Sequence, residues 1–200
     1  MDVSRPDTSE PDGSGSELRG PDLSRLAAAL RAAPARAGDV RVLALDGRSG
    51  AGKTTLAARL GQALPAPCVS LEDLYGGWDG LAAGVGRLVA EVLVPLAAGR
   101  TPRVPRYDWT ARAWQEPRPL TVAGGLLVVE GVGAGARAAA PYLSLLVWLE
   151  APVALRRTRA LARDGDVYTG HWDAWAAQES ALLDQDDTRS RADIVLHTDR

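Results

Sequence analysis

The chain contains no asparagine, no phenylalanine, one cysteine and one lysine. The single Cys68 rules out an intramolecular disulfide and a cysteine-based zinc site. No run reaches the roughly 18 apolar residues of a membrane-spanning helix, and the N-terminus lacks the basic-then-apolar order of a secretion signal. Neither sign of charge is in excess, the net charge being −2. The first twenty residues hold five acids and two bases, which leaves 20 acids against 21 bases in the remaining 180. A surface so close to neutral does not attract a polyanion, so the expected partner is a small molecule rather than nucleic acid or a membrane. Cytoplasmic localisation fits these absences. The 200 residues suffice for one α/β domain with a full core.

Where the one lysine stands is therefore informative. The other 22 basic residues are arginine, yet Lys53 lies in Gly47-Arg48-Ser49-Gly50-Ala51-Gly52-Lys53-Thr54, followed by Thr55. This run fits G-x-x-x-x-G-K-[ST], the phosphate-binding P-loop. A compact ammonium fits against β- and γ-phosphates where a planar guanidinium fork does not. The loop glycines let successive N–H groups converge on phosphate oxygens, and the N-terminus of the following helix adds its positive end. Residues Gly47 to Thr55 are thus expected to bind nucleotide, with Lys53 neutralising the transferring phosphates and the Thr54 hydroxyl ligating Mg²⁺.

The flanking pattern supplies the context such a loop needs. Val40–Asp46 reads as a buried strand running into the loop, and Thr54–Leu64 as a helix that stops before Pro65. Four further apolar runs, Cys68–Leu71, Leu126–Glu130, Leu145–Leu149 and Ile194–His197, read as parallel strands. Helical stretches such as Leu81–Ala98 and Pro152–Arg163 separate them, and Asp22–Ala33 forms a further short helix. Alternation of this kind implies right-handed crossovers and a sheet covered on both faces. Residues 1–21 read as a disordered tail, leaving 22–200 as one domain. Residues 99–121, rich in Pro, Arg and aromatics, show no period and are expected to be a structureless substrate-recognition segment.

Acids mark the strand ends. Leu126-Leu127-Val128-Val129-Glu130-Gly131 is an apolar strand ending in a carboxylate, the Walker B arrangement, so Glu130 is expected to hold Mg²⁺ directly or through water. Past the second strand, Glu72 and Asp73 are placed to accept the proton of an attacking hydroxyl, and the spacing does not choose between them. Arg156, Arg157, Arg159 and Arg163 share a helix, with Arg159 and Arg163 one turn apart; a solvated basic face explains them as readily as a role over phosphates. His171, Trp172 and Trp175 read as packing residues.

Taken in order, Leu45-Asp46-Gly47 through Thr55, Glu72-Asp73-Leu74-Tyr75, Tyr107-Asp108-Trp109 and Val129-Glu130-Gly131 resemble the uridine kinase and phosphoribulokinase branch of the P-loop kinases. The resemblance implies a three-layer α/β P-loop NTPase fold: five parallel strands in the order 2-3-1-4-5, flanked by helices, with a small helical lid near residues 152–170. It also implies that the acidic segment supplies the base, that Tyr107 and Asp108 line the acceptor pocket, and that Arg159 and Arg163 close over the phosphates. The family places a histidine five residues after the tyrosine; here that position is Arg112, suited to a carboxylate or phosphate on the acceptor. The expected activity is ATP- and Mg²⁺-dependent phosphorylation of a hydroxyl on a nucleoside-like or other small metabolite. The alternative is a nucleotide-binding or ATPase module without an acceptor. A GTPase switch is disfavoured, because its N-K-x-D guanine motif needs an asparagine and a second lysine. Assembly state is left open.

Overall fold

The computed structural model describes the backbone of residues 16–19 and 22–198, and the side chains of 22–162 and 170–198. In chain order the elements are β1 (Ser16–Arg19), α1 (Leu23–Ala32), β2 (Arg41–Asp46), α2 (Lys53–Ala63), β3 (Cys68–Ser70) and α3 (Leu81–Arg87). There follow α4 (Val94–Ala97), β4 (Arg103–Asp108), β5 (Ala113–Pro119), β6 (Leu126–Glu130), β7 (Leu145–Glu150), α5 (Val153–Thr169), α6 (Trp172–Asp186) and β8 (Ile194–His197). The main sheet runs β1-β8-β7-β2-β6-β3 with every pair parallel. Read from the β3 edge, the five strands other than β1 run β3-β6-β2-β7-β8, the expected 2-3-1-4-5 order.

Neighbouring residues along the strands feed two separate cores. Val42 and Ala44 of β2, Leu127 and Val129 of β6, and Leu146 and Trp148 of β7 pack with Tyr75, Leu88 and Trp175 on one face. Leu43 and Leu45, Leu126 and Val128, and Leu145, Val147 and Leu149 pack with Leu26, Leu30, Leu56 and Leu60 on the other. A strand buried on both faces has no polar side to show, which is why these runs read as continuous apolar stretches rather than alternating ones. Each fully buried leucine, Leu43 or Leu45 for example, contributes about 1.5–3 kcal/mol.

Three expectations are revised. The tail assigned to residues 1–21 includes Ser16–Arg19, which pair with Ile194–His197 and so satisfy the outer backbone groups of β8. The segment 99–121 is not structureless: β4 and β5 form an antiparallel hairpin with a bulge between Val104 and Arg106. All of β5 except half-buried Pro117 is exposed, so backbone pairing holds a strand whose side chains carry no alternation to read. The helix expected over Leu81–Ala98 is continuous to Ala97 but widens to a π-turn at Leu88–Leu93. Pro95 follows directly; it has no N–H to give to Glu91, and its ring crowds that carbonyl.

Candidate active site

All the polar groups of interest lie at the C-terminal ends of the parallel strands. β2 stops at Asp46, the loop spans Gly47–Gly52, and α2 begins at Lys53. Gly52 caps α2 in a left-handed conformation with no side chain on the first N–H groups, so the positive end of the helix opens onto the loop. Gly50 has φ +77°, and a Cβ there would run into the backbone carbonyl of Arg156. Loop and first turn of α5 therefore meet backbone to backbone, which only glycine permits. The Lys53 ammonium is buried and donates to the carbonyls of Gly47 at 2.6 Å and Arg48 at 3.1 Å.

Beside it, the Glu130 carboxylate is 2% exposed. It accepts a 2.6 Å hydrogen bond from the Ser70 hydroxyl, and the Thr54 hydroxyl stands 3.3 and 3.4 Å from its two oxygens. Magnesium takes hard oxygen ligands, keeps several waters and usually shares itself with substrate phosphates. The Thr54–Glu130 pair at the mouth of the loop fits that ion. Among the described residues, no group of three or more His, Cys, Asp or Glu is assembled to hold a metal by itself.

Asp46 is fully buried and accepts three backbone N–H groups: Gly47 at 2.7 Å, Gly133 at 3.0 Å and Gly135 at 2.8 Å. Its side chain thereby staples the start of the phosphate loop to the glycine-rich turn that follows β6. Burial raises its pKa, against the opposing pull of those donors and of Lys53.

Tyr75 lies beneath the same cluster, its hydroxyl donating to the Val132 carbonyl at 2.8 Å. Burial, then the charges of Asp46, Glu72, Glu130 and Glu179, push its ionisation well above the ordinary value of 10. In the unfolded chain this phenol ionises at about 10, whereas in the folded chain it does not. Its contribution to stability is intact below that pH and lost as pH rises through the raised value. Tyr75→Phe is expected to flatten the fall of the melting temperature above pH ~10, and to cost about 1 kcal/mol at neutral pH by orphaning the Val132 carbonyl. Thermal melts across pH 8–11 check this; an unchanged alkaline slope contradicts it.

The two adjacent acids share one turn. A short helical turn, Leu71–Asp73, is capped by the Ser70 hydroxyl, which accepts the Glu72 N–H at 3.3 Å. Asp73 receives Arg106 of β4 at 3.1 Å, a half-exposed pair that ties this turn to the hairpin. Glu72, the more exposed of the two, adds to the charges that raise the ionisation of Tyr75, as Asp73 does for Cys68. Trp109 completes the tie by donating its indole N–H to the Glu72 carbonyl at 3.0 Å.

Of the expected acceptor residues, Tyr107 joins an aromatic wall: its ring lies 5.5 Å from Trp109 and 5.2 Å from Trp114, and Trp109 meets Trp78 at 5.0 Å. Asp108 is engaged elsewhere, accepting the N–H groups of Thr110 and Ala111 and the Gln115 amide. These bonds, the Ala111 N–H first, lower its pKa. Arg112 sits on the hairpin tip at φ +51°, exposed and apart from the buried cluster. On α5, Arg159 donates to the Thr198 carbonyl at 2.8 Å, at the end of β8. The side chain of Arg163 lies outside the described residues. Among the described side chains of α5, the arginine that reaches the loop is Arg156, buried, with Nη1 3.3 Å from the Ser49 carbonyl. An open cleft of about 430 Å³ adjoins it, lined by Arg48, Glu150, Pro152, Val153, Arg156 and His197.

The solved structure of a possible uridine kinase from Bacillus stearothermophilus superposes with a TM-score of 0.63, at 22% identity, over 87% of this chain and 96% of that one. The fold is that of the P-loop kinases. A provisionally assigned fructose transport system kinase from Silicibacter sp. TM1040 gives a TM-score of 0.58 at 21% identity, over 88% of this chain and 99% of that one. No family model matches the sequence, and no curated protein sequence does.

Within this P-loop kinase fold, sequence reasoning passed over four residues that hold the site together: Asp46, Ser70, Arg156 as distinct from its neighbours, and Glu179. Asp46 carried a signal, a carboxylate at the end of a buried strand directly before the first loop glycine. Ser70 carried none, since it meets Glu130 from 60 residues away. No helix among the described residues is long and apolar enough to cross a membrane.

Proposed function

We propose that the protein is a kinase that transfers the γ-phosphoryl group of Mg-ATP to a hydroxyl of a small metabolite. The observation that supports this reading is the meeting of buried Lys53 with the Thr54–Glu130 oxygen pair, while the acidic turn Leu71–Asp73 follows β3 at the same edge of the parallel sheet. A bare nucleotide site accounts for the first two; an acid on the neighbouring turn is what an acceptor hydroxyl requires. The Thr54 hydroxyl and the Glu130 carboxylate would hold magnesium, which would offset the charge that develops on the phosphates.

Glu72 is the base. It takes the proton of the acceptor hydroxyl as that oxygen bonds to the γ-phosphorus and the bond from phosphorus to the β-bridging oxygen breaks, releasing ADP. Lys53 and the loop N–H groups hold the phosphates in line. Asp73, bound to Arg106, anchors the hairpin that carries the aromatic wall. That wall of Tyr107 and Trp109 favours an acceptor with a flat ring, as a nucleoside offers. The nucleotide base is assigned to the cleft beside Arg48, Arg156 and His197.

The test is phosphoryl transfer from Mg-ATP to a panel of nucleosides, sugars and hydroxy acids. Glu72→Gln is expected to lower turnover about a hundredfold or more with ATP affinity retained, in the range for loss of a general base. Asp73→Asn is expected to raise KM for the acceptor and to leave kcat within about tenfold, given the small worth of an exposed ion pair. Retained ATP binding with transfer to no acceptor would move the assignment to an ATP-binding module.

A further inference from the structure

We propose that Glu179 and Trp175 of α6 are positioning residues for phosphoryl transfer, fixing the apex of the phosphate loop through Ser49. The proposal rests on the kinase reading, and it concerns a helix on which no role had been placed. Trp175, Gln178, Glu179, Leu182 and Asp186 fall on one stripe of α6. Between them they reach three parts of the site. One oxygen of Glu179 accepts the Ser49 N–H at 2.9 Å and the Trp175 indole N–H at 2.9 Å, while that indole N–H also lies 3.0 Å from the Ser49 hydroxyl. Gln178 donates to the Trp78 carbonyl at 2.8 Å, and Asp186 accepts the Arg137 N–H at 2.9 Å. Leu182 closes on Gly133, where a Cβ would leave only 3.0 Å between them. Next to the stripe, Arg48 donates to the Ser180 hydroxyl at 2.9 Å.

A single rigid helix thus holds the phosphate loop, the loop after the catalytic acids and the turn after β6 in fixed relation. Trp175 adds to this by packing its ring on Tyr75 at 5.1 Å and Trp78 at 6.0 Å. Glu179 is the unusual member. It is 2% exposed, and no cation stands within salt-bridge distance of it among the described residues. Burying a carboxylate without a cation is costly, and a glutamine oxygen would accept the same two N–H groups without that cost. What the charge adds is strength: a charge-assisted bond from an N–H is about twice that of a neutral one. It keeps the Ser49 N–H turned to α6, next to the Ala51 N–H that closes the loop on the Arg48 carbonyl at 3.1 Å. Misplacing a reacting group by about 1 Å costs on the order of a hundredfold in rate, so the apex need not move far for the effect to be large.

The experiment uses the full chain with Glu179→Leu, Glu179→Gln and Trp175→Phe. For each, the melting midpoint, ATP affinity by titration calorimetry, and kcat and KM with Mg-ATP and the best acceptor are measured. Glu179→Leu is expected to lose about a hundredfold in kcat at saturating substrates. Glu179→Gln should recover to within about tenfold of wild type, because its carbonyl still accepts both donors. Trp175→Phe, which keeps one aromatic ring and loses the N–H with the rest of the indole, should fall between them. A folded Glu179→Leu protein with wild-type kcat and ATP affinity overturns the proposal. If that variant does not fold, Trp175→Phe decides: reduced kcat with an unshifted midpoint supports it, and an unchanged kcat overturns it. Should the wild-type protein phosphorylate no acceptor, the kinase reading fails separately. The proposal is then read on ATP affinity alone, where a tenfold or greater loss in Glu179→Leu supports it and an unchanged affinity overturns it.

Discussion

Lys53→Met is expected to lower phosphoryl transfer about a thousandfold while the folded state survives. The size follows from the position of the ammonium. It is the only lysine, it is buried at the rim of the loop, and loss of one preorganised donor from a dry site costs on the order of 10²–10³ in rate. Methionine fills much the same volume, so packing under Gly47 and Arg48 is largely kept. The substitution has a second consequence. Lys53 is one of the influences holding the Asp46 carboxyl down against burial, so its removal raises that pKa further. Steady-state kinetics with Mg-ATP, together with nucleotide affinity from calorimetry, measure the effect. Undiminished turnover and affinity in the methionine variant would remove the foundation of the assignment.

Asp46→Ala is the variant expected to damage the fold most for its size. Three buried N–H groups, those of Gly47, Gly133 and Gly135, lose their acceptor at once. Each orphaned buried donor costs about 1–3 kcal/mol, and because the turn after β6 can relax, the sum is expected near 3–5 kcal/mol rather than at the additive limit. For a chain of this length that is a fall of roughly 10 °C or more in melting temperature. Asp46→Asn keeps one oxygen but aims an amide donor at another donor, so an intermediate loss is expected. Because the staple joins the phosphate loop to the turn after β6, nucleotide should stabilise the alanine variant less than it stabilises the wild type. Thermal melts with and without Mg-ATP read both effects. An alanine variant melting within about 2 °C of the wild type would show that Asp46 does not hold the loop.

Much of this was legible without coordinates because it is local. The loop, its lysine and its threonine occupy eight consecutive residues, and the strand before it and the helix after it are specified by the same short window. The strands are continuous apolar runs, and parallel strands joined by helices admit few arrangements. The hairpin was hidden because β5 lies almost wholly at the surface and carries two prolines, so its backbone pairing leaves no pattern in the side chains. The roles within pairs of similar residues were hidden for another reason. Glu72 and Asp73 are adjacent acids, and only the reach of Arg106 from the hairpin separates them. Arg156, Arg157, Arg159 and Arg163 share a helix, and Arg156 differs because the loop touches the turn it stands on.

Sequence by itself determined the fold class, the phosphate loop and the acids that close its strands, since those depend on residue type and spacing along a few neighbouring positions. The tertiary structure decided that Asp73 is tied to Arg106, that Arg156 meets the loop, and that Glu179 grips Ser49 from 130 residues away. Hydrogen bonds and burial act through space over a few ångströms, and contacts made across that much chain leave no periodicity for a one-dimensional reading to find.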